Sequence, residues 1–292
     1  MSTDTHDPAP FPESVAVLAL GLLGGSVLKA ISKRFPKSRR IGWARSSAVR
    51  EIALDQAIAN VVVDRPEDAV AQAEVVVVAS PVNTIAELAR DSFDANPNAI
   101  FTDVGSTKKR IVTEVERHPG LSQRFVAAHP IAGSEKGGIE FADADLFQDR
   151  TVVVTPSGRE TAGHVEKVEA FWMGLGAQVV RTSPTEHDRL LALTSHLPHL
   201  LAALASRQVD AAALAFVGTG WRDTTRVAAG NADLWASIVS ENREYVLQAL
   251  DGAIGDLQRL ADRVRGGDDA AVRDWLDEGR DRRLQSDGES RA

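Results

Sequence analysis

The chain has 292 residues, enough for two domains, and its 43% hydrophobic and 25% charged residues are typical of a globular protein. A formal net charge of -8 argues against a nucleic-acid-binding protein, because phosphate contacts require clustered Lys and Arg, and the absence of cysteine excludes disulfides, thiolate catalysis and Cys-ligated metals. The first twelve residues lack the pattern of a signal peptide, and no apolar run reaches the ~20 residues that span a bilayer. We therefore expect a soluble, cytoplasmic protein.

The first half of the chain alternates short Val-rich runs with helical stretches. We predict strands at 15–20, 40–44, 61–63, 74–79, 100–103, 125–128 and 151–155, and helices at 22–35, 47–56, 107–117 and 161–174. Runs that are rich in β-branched residues and too short for a lone helix are typical of strands buried on both faces of a parallel sheet. The alternation of strand and helix predicts a doubly wound parallel α/β sheet.

The sequence changes character near Pro184. From there to about Arg265 it is rich in Ala and Leu, with long periodic segments at 190–208 and 233–263 and no further Val-rich strand. We therefore predict two domains, 1–184 and 185–292, of which the second is all-helical. Helical domains of this kind often bury their apolar faces against a second copy, so we expect a homodimer. The charged tail from Gly266 is expected to be disordered over its last ten or so residues.

The most informative single motif is Gly21-Leu22-Leu23-Gly24-Gly25-Ser26, which follows the first predicted strand. A dinucleotide-binding loop has the pattern G-x-G-x-x-G, and the three positions here are Ala19, Gly21 and Gly24. Gly21 would let the backbone approach a pyrophosphate, Gly24 would let the helix pack close to the strand, and the helix N-terminus would face the phosphates. Ala19 departs from the pattern, and its methyl group is tolerable if φ is negative there. The alternative is a strand-turn-helix whose glycines serve packing alone.

The end of the second predicted strand bears on the choice between NAD and NADP. A carboxylate at this position would bind the ribose 2′-OH, whereas an Arg accommodates a 2′-phosphate. The chain has Arg45, Ser46 and Ser47 where the acid is expected, which favours NADP. Arg45 could instead stack on adenine, with NAD also used.

Two polar segments follow predicted strand ends, where open α/β sheets bind ligands. In the first segment, Asp103 and Ser106 are candidates for a role in the site, although either could instead cap the next helix. In the second segment, His129 precedes a loop with Pro and Gly and could reach a ligand, or could only bond to the backbone.

The helical part adds further polar candidates. His196 and His199 lie three residues apart on one helical face, but no acid pairs obviously with them, so we predict no metal site. Arg226 could bind a carboxylate with both arms of its guanidinium, or could form a surface salt bridge with Asp223 or Asp233.

Together these segments resemble prephenate/arogenate dehydrogenase of tyrosine biosynthesis over roughly residues 15–240. The resemblance rests on six motifs: 21–26 (GLLGGS), 103–108 (DVGSTK), 129–135 (HPIAGSE), 187–188 (HD), 195–199 (SHLPH) and 223–226 (DTTR). It implies an NAD(P)-binding Rossmann-type domain and a helical dimerisation domain. It also implies oxidative decarboxylation of prephenate to 4-hydroxyphenylpyruvate, or of arogenate to tyrosine.

The resemblance further implies catalytic roles. His129 matches the catalytic His, which accepts the proton of the ring 4-hydroxyl as hydride leaves for the nicotinamide. Ser106 matches the Ser that orients this His, and Arg226 matches the Arg that binds a substrate carboxylate. His199 matches a His near the substrate side chain, which favours prephenate, while the nearby Asp188 leaves arogenate open.

Other matched positions are expected to bind or support the ligands. The substrate pocket is lined or supported by two more histidines, His187 and His196. The expected cofactor contacts are Gly21, Leu22, Leu23, Gly24, Arg45, Ser46, Ser80 and Asp103.

Two other interpretations stay open. A β-hydroxyacid dehydrogenase typically relies on a catalytic Lys in the helical domain, and the absence of Lys after Lys167 disfavours it. A non-catalytic NAD(P)-sensing module would keep Gly21 and Gly24, but it would need no ordered His, Ser and Arg in a substrate cleft.

Overall fold

The computed structural model of the chain describes residues 11–133 and 137–289. The chain divides into two compact units, Met1–Arg243 and Glu244–Ala292. In the described residues, no helix is both long enough and apolar enough to cross a membrane.

The first unit is built on a six-stranded parallel sheet with the strand order β3-β2-β1-β4-β5-β6. This order reverses between β1 and β4, and ligands of open α/β sheets bind outside the carboxyl ends of the strands at such a reversal. The strands are β1 (Ser14–Leu18), β2 (Arg39–Trp43), β3 (Val61–Val63), β4 (Val75–Val78), β5 (Ile100–Asp103) and β6 (Phe125–Val126).

Helices cover both faces of this sheet, which confirms the predicted doubly wound architecture. Alternate residues of β1 belong to two different hydrophobic clusters, with Val15 and Val17 in one and Ala16 and Leu18 in the other. Burial on both faces explains why the strands are almost continuously apolar. The helices are α1 (Leu22–Arg34), α2 (Ser47–Asp55), α3 (Pro66–Val70), α4 (Ile85–Ser92), α5 (Lys109–Glu116), α6 (Pro119–Ser122) and α7 (His164–Gly174).

A second sheet corrects the prediction that all the strands extend one sheet. The predicted strand 125–128 divides at Ala127, and its end belongs to β7 (Ala128–Pro130), which pairs antiparallel with β8 (Thr151–Val154). A third strand, β9 (Gln178–Arg181), pairs parallel with β8 and was missed because it has only two apolar residues. The backbone N–H of Ala128 also donates to the side chain of Asp103 on β5, and its carbonyl accepts from the side chain of Lys108.

The later helices of the first unit differ in detail from the predicted periodic segments. The predicted helix 190–208 begins earlier and contains a π-helical turn, Ala192–His196, just before Pro198. The predicted helix 233–263 is broken at Asn242. The elements are α8 (Pro184–Leu191), α9 (Leu197–Arg207), α10 (Thr219–Thr225), a 3-10 turn (Arg226–Ala229), α11 (Ala232–Glu241) and α12 (Arg243–Arg265).

The second unit contains most of α12 and the following helix α13 (Asp269–Glu289). Within it, the indole N–H of Trp275 donates to Asp256 across the turn at 2.9 Å. The prediction of a disordered tail is therefore wrong as far as Glu289, and residues 290–292 lie outside the described part. An ion pair between Arg280 and Asp277, one turn apart, supports the helix.

The turn after β1 also departs from its prediction. Ala19 has a φ of 80°, so the condition of a negative φ is not met and its backbone is held in the left-handed region. This conformation costs about 1–2 kcal/mol for a residue other than glycine. It is held by the hydrogen bond from the Ala19 N–H to the carbonyl of Trp43, at 2.8 Å.

Gly24 is required where α1 crosses β1. A Cβ atom at this position would overlap the carbonyl oxygen of Ala19 and would lie 3.0 Å from Cγ1 of Val17. The close approach of helix and strand that the motif predicts is therefore present.

We expect Gly24→Ala to lower the free energy of unfolding by about 1–3 kcal/mol, because the backbone must move to admit a methyl group. Urea unfolding would measure this loss. Gly21→Ala is the matched control, because a Cβ at Gly21 would meet nothing within 4 Å, and its effect should stay below about 1 kcal/mol. Equal stability of the two variants would contradict the prediction.

Candidate active site

The glycine loop forms an open cradle at the carboxyl end of β1. Gly21 is the N-cap residue of α1, and it offers no side-chain cap to the first N–H groups of the helix. The first turn contains no acidic residue, and a Cβ on Gly21 would point into open space. Leu22 and Leu23 are half-buried beside it. This cradle fits the pyrophosphate of a dinucleotide, since helix N-termini bind anions through their free N–H groups.

The loop after β2 presents a cation and hydroxyl groups to solvent. Arg45 and Ser46 are exposed. The loop is fixed by Arg50, which sequence reasoning missed: its guanidinium donates to the carbonyls of Ala44 at 2.7 Å and Arg45 at 3.2 Å. Arg50 also pairs with the exposed Asp64 at 3.0 Å. The loop is therefore held in shape while the side chain of Arg45 stays accessible.

Ser80 lies at the carboxyl end of β4, on the same edge of the sheet. It is half-buried, and its hydroxyl accepts a hydrogen bond from the hydroxyl of Thr84 at 3.0 Å. Its contact with a cofactor stays a prediction.

A fully buried ion pair follows β5. Lys108 and Asp103 have no exposed side-chain surface, and the ammonium group donates to Oδ2 of the carboxylate. Burial lowers the pKa of Lys108 below its ordinary value, and the nearby carboxylate counteracts this effect. Asp103 Oδ2 also accepts the N–H of Gly105 at 2.8 Å. Both groups are thus satisfied inside the protein.

The same pair holds the backbone of Ala128, the residue before His129. Asp103 Oδ1 accepts the N–H of Ala128 at 3.0 Å, and Lys108 Nζ donates to the carbonyl of Ala128 at 2.7 Å. A direct contact between Asp103 and a cofactor stays a prediction, whereas its contacts within the protein position His129.

Two histidines and a carboxylate form a continuous hydrogen-bonded chain. His129 Nδ1 lies 2.9 Å from His187 Nε2, and His187 Nδ1 lies 2.8 Å from Asp188 Oδ1. His187 and Asp188 are buried on α8. The carboxylate also accepts two backbone N–H groups at the start of α5, from Lys108 at 2.7 Å and from Lys109 at 2.9 Å.

The partners in this chain determine which nitrogens carry protons. The Asp188 carboxylate accepts hydrogen bonds, so the Nδ1–H of His187 must donate to it. Burial lowers the pKa of His187, so the ring is neutral and its Nε2 is an acceptor. His129 therefore donates through its Nδ1–H, and its Nε2 carries an unprotonated lone pair.

His129 is neutral for the same reason. Burial lowers the pKa of His129 well below 6.5, and the nearby His187, Lys108 and His196 lower it further. A neutral imidazole with an available Nε2 can accept a proton, which is the property that a general base needs.

A second histidine pair lies beyond the first. His196 ends the π-helical turn and is buried, and burial lowers its pKa to about 4. The ring of His199 on α9 stacks on Trp235 with centroids 3.5 Å apart, and the ring of His196 approaches the same indole edge-on. The buried Asn242 donates to the carbonyl of Asp188 at 2.7 Å and lies 3.1 Å from Nδ1 of His196.

The structure does not join every predicted residue to this network. Ser106 is half-buried in the loop after β5, and in the described residues the ring of His129 bonds to His187 rather than to Ser106. Arg226 is exposed at the start of its 3-10 turn, and Gly230 after that turn packs against His199 and Trp235. The orienting role of Ser106 and the carboxylate contact of Arg226 stay predictions.

The remaining residues of the sequence motifs are considered next, together with the expectation about metal binding. Ser134 and Glu135 lie outside the described residues. No group of three His, Asp or Glu side chains in the described part of the chain is arranged to hold a metal ion. Sequence reasoning missed the roles of Lys108 and Asn242, although Lys108 stands inside a quoted motif and Asn242 interrupts a periodic segment.

Known proteins of one family are similar to this chain over most of its length. Residues 28–181 match the family model of the prephenate dehydrogenase nucleotide-binding domain, and residues 183–278 match that of the prephenate dehydrogenase dimerization domain. The prephenate dehydrogenase of Bacillus subtilis is 30% identical over 258 residues, which are 85% of this chain and 69% of that protein. The cyclohexadienyl dehydrogenase of Zymomonas mobilis is 30% identical over 262 residues, 87% of this chain and 89% of that protein.

A solved structure gives the same result. The prephenate dehydrogenase of Aquifex aeolicus, in complex with hydroxyphenyl propionate and NAD+, superposes with a TM-score of 0.85 at 29% identity. The superposition covers 93% of this chain and 97% of that one.

The buried ion pair beneath the histidines gives a stability prediction. Lys108→Met should lower the free energy of unfolding by about 3–5 kcal/mol, because it leaves the charge of Asp103 buried without a cation. Lys33→Met is the matched control: Lys33 pairs with Asp145 at 2.6 Å, but both side chains are about half exposed, and the loss should be below about 1 kcal/mol. Urea unfolding of both variants would test this, and similar losses would contradict it.

Proposed function

The chain belongs to the prephenate dehydrogenase family, and from this premise we propose that it converts prephenate to 4-hydroxyphenylpyruvate by NAD(P)-dependent oxidative decarboxylation. The family is one of NAD(P)-dependent oxidoreductases, and a dinucleotide cradle at Gly21 agrees with that chemistry. The observation that carries the proposal is the chain from His129 through His187 to Asp188, which leaves a neutral base with an available Nε2.

In this proposal His129 is the catalytic base. Its Nε2 accepts the proton of the ring 4-hydroxyl while hydride leaves the same ring carbon. The bound nicotinamide supplies the acceptor for that hydride. The ketone so formed loses the ring carboxylate as CO₂ because the ring becomes aromatic, and the resulting phenolate oxygen recovers a proton.

The hydrogen-bonded chain stabilises the charge that His129 gains. Once its Nε2 is protonated, the imidazolium keeps its Nδ1–H bond to His187, and His187 in turn donates to the carboxylate of Asp188. The negative charge is thus linked to the developing positive charge through one neutral ring. Charge-assisted hydrogen bonds are stronger than neutral ones, so this arrangement lowers the barrier to proton transfer.

We propose prephenate rather than arogenate as the substrate. The two differ in the side chain, where arogenate has an ammonium group that would favour an available carboxylate. Asp188, the acid that leaves arogenate open in sequence, is buried, and its oxygens accept from His187, Lys108 and Lys109. His199, whose ring stacks on Trp235, can donate to a keto acid.

The other site residues keep their predicted roles within this proposal. Arg226 binds a substrate carboxylate, and Ser106 orients His129 and the hydroxyl. For the cofactor we propose NADP, because Arg45 and Ser46 are exposed after β2 and residues 43–47 contain no acid. Leu22, Leu23 and Ser80 contact the cofactor beside the glycines.

The organisation of the chain is also a proposal. We place the boundary between a dinucleotide-binding domain, 1–184, and a helical substrate domain, 185–292. The two family matches meet between residues 181 and 183, β9 ends at Arg181, and α8 begins at Pro184. The description of the second match supports a homodimer. A cytoplasmic location is proposed on the ground that the family is biosynthetic.

The proposed function is tested by incubating the purified protein with prephenate or arogenate, each with NAD+ and with NADP+. Prephenate with NADP+ should give the highest kcat/KM, with 4-hydroxyphenylpyruvate and CO₂ as products. Faster turnover of arogenate would transfer the assignment to that substrate, and a preference for NAD+ would remove the role of Arg45. No reduction of either cofactor would refute the function and favour a non-catalytic NAD(P)-sensing module.

We predict that His129→Asn lowers kcat by a factor on the order of 10²–10⁴, the range of general-base catalysis, with little change in KM. Asparagine keeps a polar side chain but cannot accept the proton. His118→Asn makes the same exchange at the N-cap of α6, outside the cluster, and should leave kcat unchanged. Steady-state kinetics of the two variants would decide, and near-normal turnover of His129→Asn would remove the residue from this role.

The pH dependence of kcat/KM follows from the environment of His129. A base must be unprotonated, so activity is present above its pKa and is lost as the pH falls through it. Burial, together with His187, Lys108 and His196, lowers the pKa of His129 well below 6.5. The plateau of kcat/KM should therefore extend below pH 6.5 before activity declines. An acidic limb with its midpoint at or above this value would show that His129 is not the base.

A further inference from the structure

One buried amide in the histidine network takes no part in the proton transfer proposed above. Asn242 is 3% exposed and lies between α11 and α12. Its Nδ2 is 2.7 Å from the backbone carbonyl of Asp188 and 3.1 Å from Nδ1 of His196. Both partners approach the same amide nitrogen.

These two contacts fix the orientation of the amide. The carbonyl oxygen of Asp188 can only accept a hydrogen bond, so the group facing it must be the NH₂ of Asn242 and not its oxygen. The NH₂ has two hydrogens, and the second points to Nδ1 of His196. His196 Nδ1 must therefore be an unprotonated acceptor, which leaves the proton of the neutral ring on Nε2.

We propose that Asn242 is a positioning residue that holds His196 as the Nε2–H tautomer, and that this N–H donates to a carboxylate oxygen of the substrate. The proposal rests on the proposed function for the identity of that substrate. His196 is close enough to His129 to affect its pKa, and its ring approaches Trp235, on which the ring of His199 stacks. A donor at this position fits an anionic keto acid.

Burial supports this assignment because it keeps the ring neutral. The pKa of His196 is lowered to about 4, so at neutral pH the ring has one protonated and one unprotonated nitrogen. His196 and His129 then have opposite tautomers. Asn242 makes His196 a donor through Nε2, whereas the chain to Asp188 makes His129 an acceptor through Nε2.

The tautomer is tested first in the wild-type protein, without any variant. Long-range ¹H–¹⁵N spectra of ¹⁵N-histidine-labelled protein distinguish the Nδ1–H, Nε2–H and doubly protonated rings, and the loss of one set of signals in His196→Gln assigns the residue. The expected result is an unprotonated Nδ1 on His196 at neutral pH. A protonated Nδ1 would overturn the proposal.

Asn242→Asp tests whether the amide sets the tautomer. The variant replaces the NH₂ donor by an acceptor, so Nδ1 of His196 should become protonated. Asn231→Asp is the matched control, because Asn231 caps the other end of α11 through its side-chain oxygen, which Asp retains. An unprotonated Nδ1 in a folded Asn242→Asp variant would overturn the role of Asn242, and if that variant does not fold, the wild-type spectrum decides.

The contact with substrate is tested at His196 itself. His196→Leu has no donor and should raise the KM for prephenate about tenfold or more, with a smaller effect on kcat. His196→Gln keeps an N–H donor and should recover most of that affinity. Equal KM values in the two variants would refute the contact. The proposed function fails separately, if wild-type protein oxidises neither acid, and the tautomer spectrum does not depend on that assay.

Discussion

The candidate site depends on the buried carboxylate of Asp188. Its two oxygens accept from the backbone N–H groups of Lys108 and Lys109 and from Nδ1 of His187, and its own carbonyl accepts from Asn242. A buried carboxylate is costly unless it is fully hydrogen-bonded, so these contacts are required once the group is buried. They also connect the start of α5, the helix α8 and the end of α11 at one point.

Two carboxylates, those of Asp188 and Asp103, bind the segment that joins β5 to α5. Lys108 gives its backbone N–H to Asp188 and its side chain to Asp103, which in turn holds Ala128. His129 is thus positioned through its own backbone by Asp103 and Lys108, and through its ring by His187. Asp103 is on β5, His187 is on α8 and Lys108 caps α5, so the supports belong to regular elements or their ends, which favours a precise placement of the proposed base.

The main sheet and the identity of the histidines were predictable from the sequence, whereas the connections between them were not. Val-rich runs reveal strands because burial on both faces demands apolar residues, and β9 was missed because it is mostly exposed and has only two apolar residues. The positive φ of Ala19 could not be predicted, because a positive φ is usually signalled in the sequence by a glycine and this position has an alanine. The contacts of Asp188 with residues 108 and 109 span about 80 positions, and no periodicity encodes such a pairing.

In the proposed site, burial allows one residue type to serve as a proton acceptor at His129 and as a hydrogen-bond donor at His196. It removes the charge from each ring, and a neutral imidazole always has one donor and one acceptor nitrogen. Which nitrogen faces the substrate pocket then depends on the partner of the other nitrogen, which is His187 for His129 and Asn242 for His196. An exposed histidine would exchange tautomers and protonation states with solvent. In the proposed site the positions of these protons therefore depend on His187 and Asn242, and Asp188 is hydrogen-bonded to both of them.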